Sequence, residues 1–89
     1  FMLKETVTVG NQTGIHARPA GVLAKTVGNF QSRIELVYNG KTIKAKSIMG
    51  ILGAGIKGRA QVEIICEGQD EECAMRELKQ LFARGFGFD

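Results

Sequence analysis

The sequence predicts an α+β fold in the order β-α-β-β-α-β-α, with one antiparallel sheet and helices packed on a single face. Three observations carry this reading. Short segments alternate apolar and polar residues with the period of a half-buried strand. Two longer segments repeat apolar residues at helical spacing. An Asn39-Gly40 pair separates two alternating runs, which is the strongest short hairpin signal. A sheet with one solvated face and one helix-covered face buries all these apolar stripes together.

Leu3 to Val9 alternates, with Val7 and Val9 on one face and Thr6 and Thr8 on the other, and reads as the first strand. Gly10-Asn11-Gln12-Thr13-Gly14 is rich in turn residues and reads as a loop. A helix follows from about Ala17 to Gly28, with Ala20, Leu23, Ala24 and Val27 as its apolar stripe, and Gly28-Asn29 offers its stop. Arg33 to Tyr38 is the second strand. A type I′ turn at Asn39-Gly40 pairs Tyr38 with Lys41, Leu36 with Ile43 and Ile34 with Ala45, which places the apolar residues on one face. Ser47 to Leu52 reads as a capping residue followed by a short helix, weakened by Gly50, Gly53 and Gly55. Gln61 to Glu67 alternates again, with Val62, Ile64 and Cys66 facing one way. Asp70 is placed to cap a last helix that runs to about Arg84, buries Ala74, Leu78, Leu81 and Phe82, and stops at Gly85.

The chain has 89 residues and 44% hydrophobic content, enough for the core of one small domain spanning 1–89. Twelve Lys and Arg stand against nine Asp and Glu, a net charge of +3 without a dense basic run. Nucleic-acid binding usually needs clustered positive charge, so a basic rim for acidic protein partners fits this balance better. Gly55-Ile56-Lys57-Gly58 matches the GxxG of a KH module, but it leads straight into a strand where a KH loop joins two helices. Cys66 and Cys73 fit neither a CxxC redox pair nor a zinc pattern and read as reduced structural thiols. No apolar run has membrane length and no signal-peptide core is visible. The expected location is the cytoplasm, with no membrane insertion and with Met2, after Phe1, as the natural start.

The chemistry concentrates in Gly14-Ile15-His16-Ala17-Arg18-Pro19-Ala20, which holds the only histidine and the only proline of the chain. Proline fits the first turn of a helix, where its missing N–H would be unpaired anyway. His16 then sits at the lip of a helix, among free amides and the positive end of the macrodipole, with the fixed charge of Arg18 close by. Such a place can carry a phosphoryl group. No second histidine or ligand spacing suggests a metal, and no nucleophile elbow suggests a serine hydrolase. Covalent chemistry of His16 itself remains, through attack of a neutral imidazole nitrogen on phosphorus. Ser47 is the second candidate, as an N-cap worth about 1 kcal/mol and as an exposed helix-start serine that tolerates added phosphate. Ile48, Met49, Ile51, Leu52 and Ile56 crowd a short Gly-rich segment and divide between core and an exposed patch for partners. A small-molecule binder of this fold class would instead need a pocket of apolar and polar groups.

The Gly14–Ala20 stretch together with Lys46-Ser47-Ile48-Met49-Gly50 closely resembles HPr, the histidine-containing phosphocarrier family of the bacterial phosphoenolpyruvate-dependent sugar phosphotransferase system. The resemblance covers essentially the whole chain. It implies an open-faced β-sandwich, a four-stranded antiparallel sheet with three helices on one face. It also implies a carrier rather than an enzyme, without cofactor or metal. Enzyme I would pass a phosphoryl group to Nδ1 of His16, and the chain would hand it to IIA components of sugar permeases. Arg18 looks like the family's phosphate-stabilising arginine. Ser47 matches its regulatory serine, the target of HPr kinase/phosphorylase, with binding to a catabolite-control repressor as the consequence. Partner docking is assigned to Ala17, Ala20, Ile48, Met49, Leu52 and Ile56. Gly21 and the glycine-rich Gly53-Ala54-Gly55 depart from the usual family pattern.

Overall fold

The computed structural model describes residues 2–88. Its strands are β1 (Met2–Thr8), β2 (Arg33–Tyr38), β3 (Lys41–Lys44) and β4 (Gln61–Glu67). Three helices alternate with them, α1 (Ala17–Val27), α2 (Ile48–Ala54) and α3 (Glu71–Ala83), and a 3₁₀ turn follows at Gly85–Gly87. The sheet order is β1-β4-β2-β3, with every neighbouring pair antiparallel. The predicted open-faced architecture is therefore the observed one.

Strand β4 joins the two halves of the sheet. Its Ile64 lies opposite Glu5 of β1 and Leu36 of β2, and its Cys66 opposite Leu3 and Ile34. Because side chains alternate faces along a strand, Val62, Ile64, Cys66, Ile34, Leu36 and Ile43 share one face, and all six are buried. The opposite face carries cross-strand rows such as Lys4, Ile65, Glu35 and Lys44, a mixed charged surface, and an Arg33–Glu67 ion pair. That polarity leaves this face open to water. The predicted hairpin forms, with Asn39 and Gly40 at φ of 51° and 76° as a type I′ turn demands. Its register continues one pair beyond the strands through Ala45 N–H to Ile34 O at 3.1 Å.

The helices supply the other half of the core through Ala20, Leu23 and Val27 of α1, Ile51 of α2, and Ala74, Met75, Leu78, Leu81 and Phe82 of α3. Each large member contributes about 1.5–3 kcal/mol of burial. At the sheet margin Glu5, on the core side of β1, meets Lys79 of α3 at 2.6 Å. Cys66 and Cys73 are both free thiols, one buried and one exposed. Burial, reinforced by Glu71, Asp70 and Glu5, pushes Cys66 up to about 11, which keeps it a protonated core residue.

One expectation is corrected. Asp70 occupies the N-cap position of α3 but makes no capping hydrogen bond. Its carboxylate turns to the loop before β2 and accepts from Gln31 N–H at 2.8 Å and Ser32 N–H at 2.9 Å. Glu71 Oε1 instead accepts from Gly68 N–H at 3.0 Å and ties the approach to the helix. Two amide donors and a hydroxyl across the chain outcompete the single local donor a cap would offer.

Candidate functional site

The loop that carries His16 is held from below. Asn11 is buried, and its Oδ1 accepts from Gly14 N–H at 2.9 Å while its Nδ2 donates to Gly14 O at 3.2 Å. Gly14 has φ of +81°, and a Cβ there would meet Ile56 O at 2.4 Å, so only glycine fits. Ile15 is buried, and its N–H donates to Ile56 O at 3.0 Å. Arg59 N–H reaches back to Asn11 O at 3.1 Å. The Gly55–Gly58 segment thus serves as a backbone strap between α2 and β4 that clamps the 10–15 loop.

His16 emerges from this clamp exposed on the surface, at the N-cap position of α1, with extended backbone. Its carbonyl accepts from Ala20 N–H at 2.9 Å and closes the first helical turn. Pro19 has no N–H, so the turn's orphan donors are those of Ala17 and Arg18, beside the imidazole. Nε2 of His16 lies 3.1 Å from Thr13 Oγ1. In the tautomer where Nε2–H donates to that hydroxyl, Nδ1 keeps its lone pair. Thr13 was not singled out from sequence, although its place in the same turn-rich loop was the available signal.

Arg18 is exposed one residue into the helix, but its guanidinium is not on His16. It sits over the ring of Phe88, 5.8 Å from the centroid. Nothing in the linear order announced this contact, which joins the first turn of α1 to the segment after α3.

Ser47 caps α2 as expected, its Oγ accepting from Gly50 N–H at 3.0 Å, but it is half-buried where the sequence predicts exposure, because that cap folds the side chain back onto the first turn. The docking residues separate. Met49 is 78% exposed, Ile48 43% and Leu52 38%; Ala17 is also exposed. Leu52 borders the same shallow, open depression as His16, Thr13 and Lys57. Two assignments are corrected, because Ala20 and Ile56 lie in the core at 0% and 4% exposure. Ala20 belongs to the buried stripe of α1, and Ile56 turns inward after the left-handed Gly55 ends α2. Among the described residues, no helix is long and apolar enough to cross a membrane.

A protein-family model described as the PTS HPr component phosphorylation site matches residues 3–84. HPr-C-His from Thermoanaerobacter tengcongensis is 38% identical, with a TM-score of 0.92 over 98% of both chains. A phosphocarrier protein HPr from Bacillus anthracis str. Ames is 34% identical, with a TM-score of 0.87 over 91% of this chain and 96% of that one. Crh, the catabolite-repression protein of Bacillus subtilis, solved as a swapped dimer, is 32% identical, with a TM-score of 0.72 over 92% and 93% of the two chains.

Proposed function

The chain belongs to the HPr family of phosphotransferase-system phosphocarriers, and we propose that it carries its phosphoryl group on Nδ1 of His16, between enzyme I and the IIA components of sugar permeases. The single observation that carries the site assignment is an exposed imidazole at a helix N-terminus whose Nε2 is engaged by Thr13. That engagement supports Nδ1 as the nucleophile. Its lone pair attacks phosphorus on the donor phosphohistidine, a P–N bond forms, and the bond to the donor imidazole breaks. The same step runs in reverse order of partners toward IIA. The amides of Ala17 and Arg18, and the Arg18 guanidinium, offset the negative oxygens of the bound group.

The site is a shallow depression beside an apolar patch, which suits a protein face better than a small molecule. Ala17, Ile48, Met49 and Leu52 are the docking contacts in this reading. Ser47 is its regulatory site, phosphorylated on Oγ by an ATP-dependent HPr kinase. The modification adds a strong negative charge next to Ile48 and Met49, where it alters partner choice and favours a catabolite-control repressor. Likeness to Crh supports that regulatory branch.

The test is incubation with phosphoenolpyruvate and enzyme I, followed by assay of acid-labile phosphate. His16→Ala is expected to abolish labelling; labelling that survives in this variant overturns the assignment.

A further inference from the structure

The segment that follows α3 reaches the first turn of α1. After α3, Gly85, Phe86 and Gly87 have φ of 61°, 60° and 84°, a run of left-handed backbone that reverses the chain across the helix end. A non-glycine residue in this region is disfavoured and persists only when its surroundings hold it. Here Phe86 is 4% exposed and packs edge-on against Phe82, with centroids 4.8 Å apart. Gly85 O also accepts from Nδ2 of Asn11, the residue that organises the His16 loop, at 3.4 Å. Phe88 N–H donates to Gly85 O at 2.9 Å. The reversal therefore delivers Phe88, half-buried against the core, to the first turn of α1. Its ring lies under the Arg18 guanidinium at 5.8 Å from the centroid, within cation–π range. Among the described residues, Arg18 makes no ion pair, so the ring is its identified partner.

We infer that Phe88 is a positioning residue that parks Arg18 in the unphosphorylated carrier, an inference resting on the His16 reading above. A phosphate oxygen is a stronger partner for guanidinium than a phenyl face, so phosphorylation of Nδ1 draws Arg18 off the ring. The cation–π pairing given up in that move stabilises the unphosphorylated form alone. Phe88 thereby disfavours phosphohistidine relative to free histidine and promotes onward transfer, without touching the reacting atoms.

The experiment compares wild type, Phe88→Leu and Phe88→Tyr, each also in an Arg18→Ala background. The readout is the equilibrium fraction of phosphohistidine at a fixed phosphoenolpyruvate to pyruvate ratio with enzyme I. In parallel, the Arg18 Hε resonance is recorded in the unphosphorylated proteins. Phe88→Leu is expected to shift the equilibrium toward the phosphorylated form by about two- to five-fold, the worth of an exposed cation–π contact. It should also remove the ring-current displacement of Arg18 Hε, while Phe88→Tyr keeps both wild-type values and Arg18→Ala abolishes the Leu effect. An unchanged equilibrium in Phe88→Leu, the opposite shift, or a shift that survives in Arg18→Ala overturns the proposal. Loss of labelling on His16 in wild type would instead defeat the phosphocarrier reading, and the Arg18 resonance still reports the contact.

Discussion

Ser32 and Asp70 lie 38 positions apart in the chain, and the Asp70 carboxylate accepts both the Ser32 hydroxyl, at 2.5 Å, and the Ser32 amide, at 2.9 Å. The contact joins the entry of β2 to the start of α3, so it aligns one end of the sheet with the helix that covers it. Ser32 is buried while keeping its hydroxyl satisfied, which is what a buried polar group requires.

This contact makes a pH-dependent prediction. The Ser32 hydroxyl, followed by the Gln31 amide, holds Asp70 below its ordinary value of 3.8. A lowered carboxyl contributes stability above its unfolded pKa and loses it as pH falls through the folded pKa. Asp70→Asn should therefore be less stable than wild type at neutral pH, and the gap should close as pH falls below about 3.8. Urea midpoints of both proteins across the acid range check this. A gap independent of pH would show that the ionised carboxylate is not the source of stability.

Two glycines should respond in opposite directions to alanine. A Cβ on Gly58 would lie 2.1 Å from Gln12 O and 2.8 Å from Asn11 O, both backbone atoms of the clamped loop. Gly58→Ala should cost about 1–3 kcal/mol or more and loosen the support of His16. Gly21 lies inside α1 with nothing within 4 Å of its missing Cβ. Gly21→Ala should stabilise by about 0.5–1 kcal/mol, the helix-interior difference between the two residues. Denaturant unfolding of the pair decides both, and equal effects would contradict the packing around Gly58.

Helix α2 should separate stability from docking. Ile51 is fully buried, and Ile51→Ala should cost about 2–5 kcal/mol. Met49 is 78% exposed, and Met49→Ala should leave stability within about 0.5 kcal/mol. The same variant should weaken binding to enzyme I by about tenfold, above the roughly 1 kcal/mol that separates a contributing interface side chain from a neutral one. Calorimetric titration with enzyme I, beside thermal unfolding, measures the two quantities independently. Unchanged affinity would remove Met49 from the docking surface.

Much of this molecule was legible residue by residue. Strand alternation, the Asn39-Gly40 turn, the Ser47 cap and the place of His16 at a helix start all arise from neighbours close in sequence. Backbone sterics and hydrogen bonds within one turn decide them, so a linear pattern suffices. The apolar residues around α2 were less legible, because hydrophobicity does not reveal which side of a short helix faces the core. Ile56 looked like its exposed neighbours until the left-handed Gly55 turned the chain inward.

Sequence alone was enough for the order of elements, the hairpin register and the family signature around His16 and Ser47. Folding in three dimensions was needed to give Asp70 its partners, to bury Ala20 and Ile56, and to set Arg18 over Phe88. The physical reason is common to all three. Each depends on which distant segments the folded core brings within a few ångströms, and periodicity and local propensity carry no record of those distances.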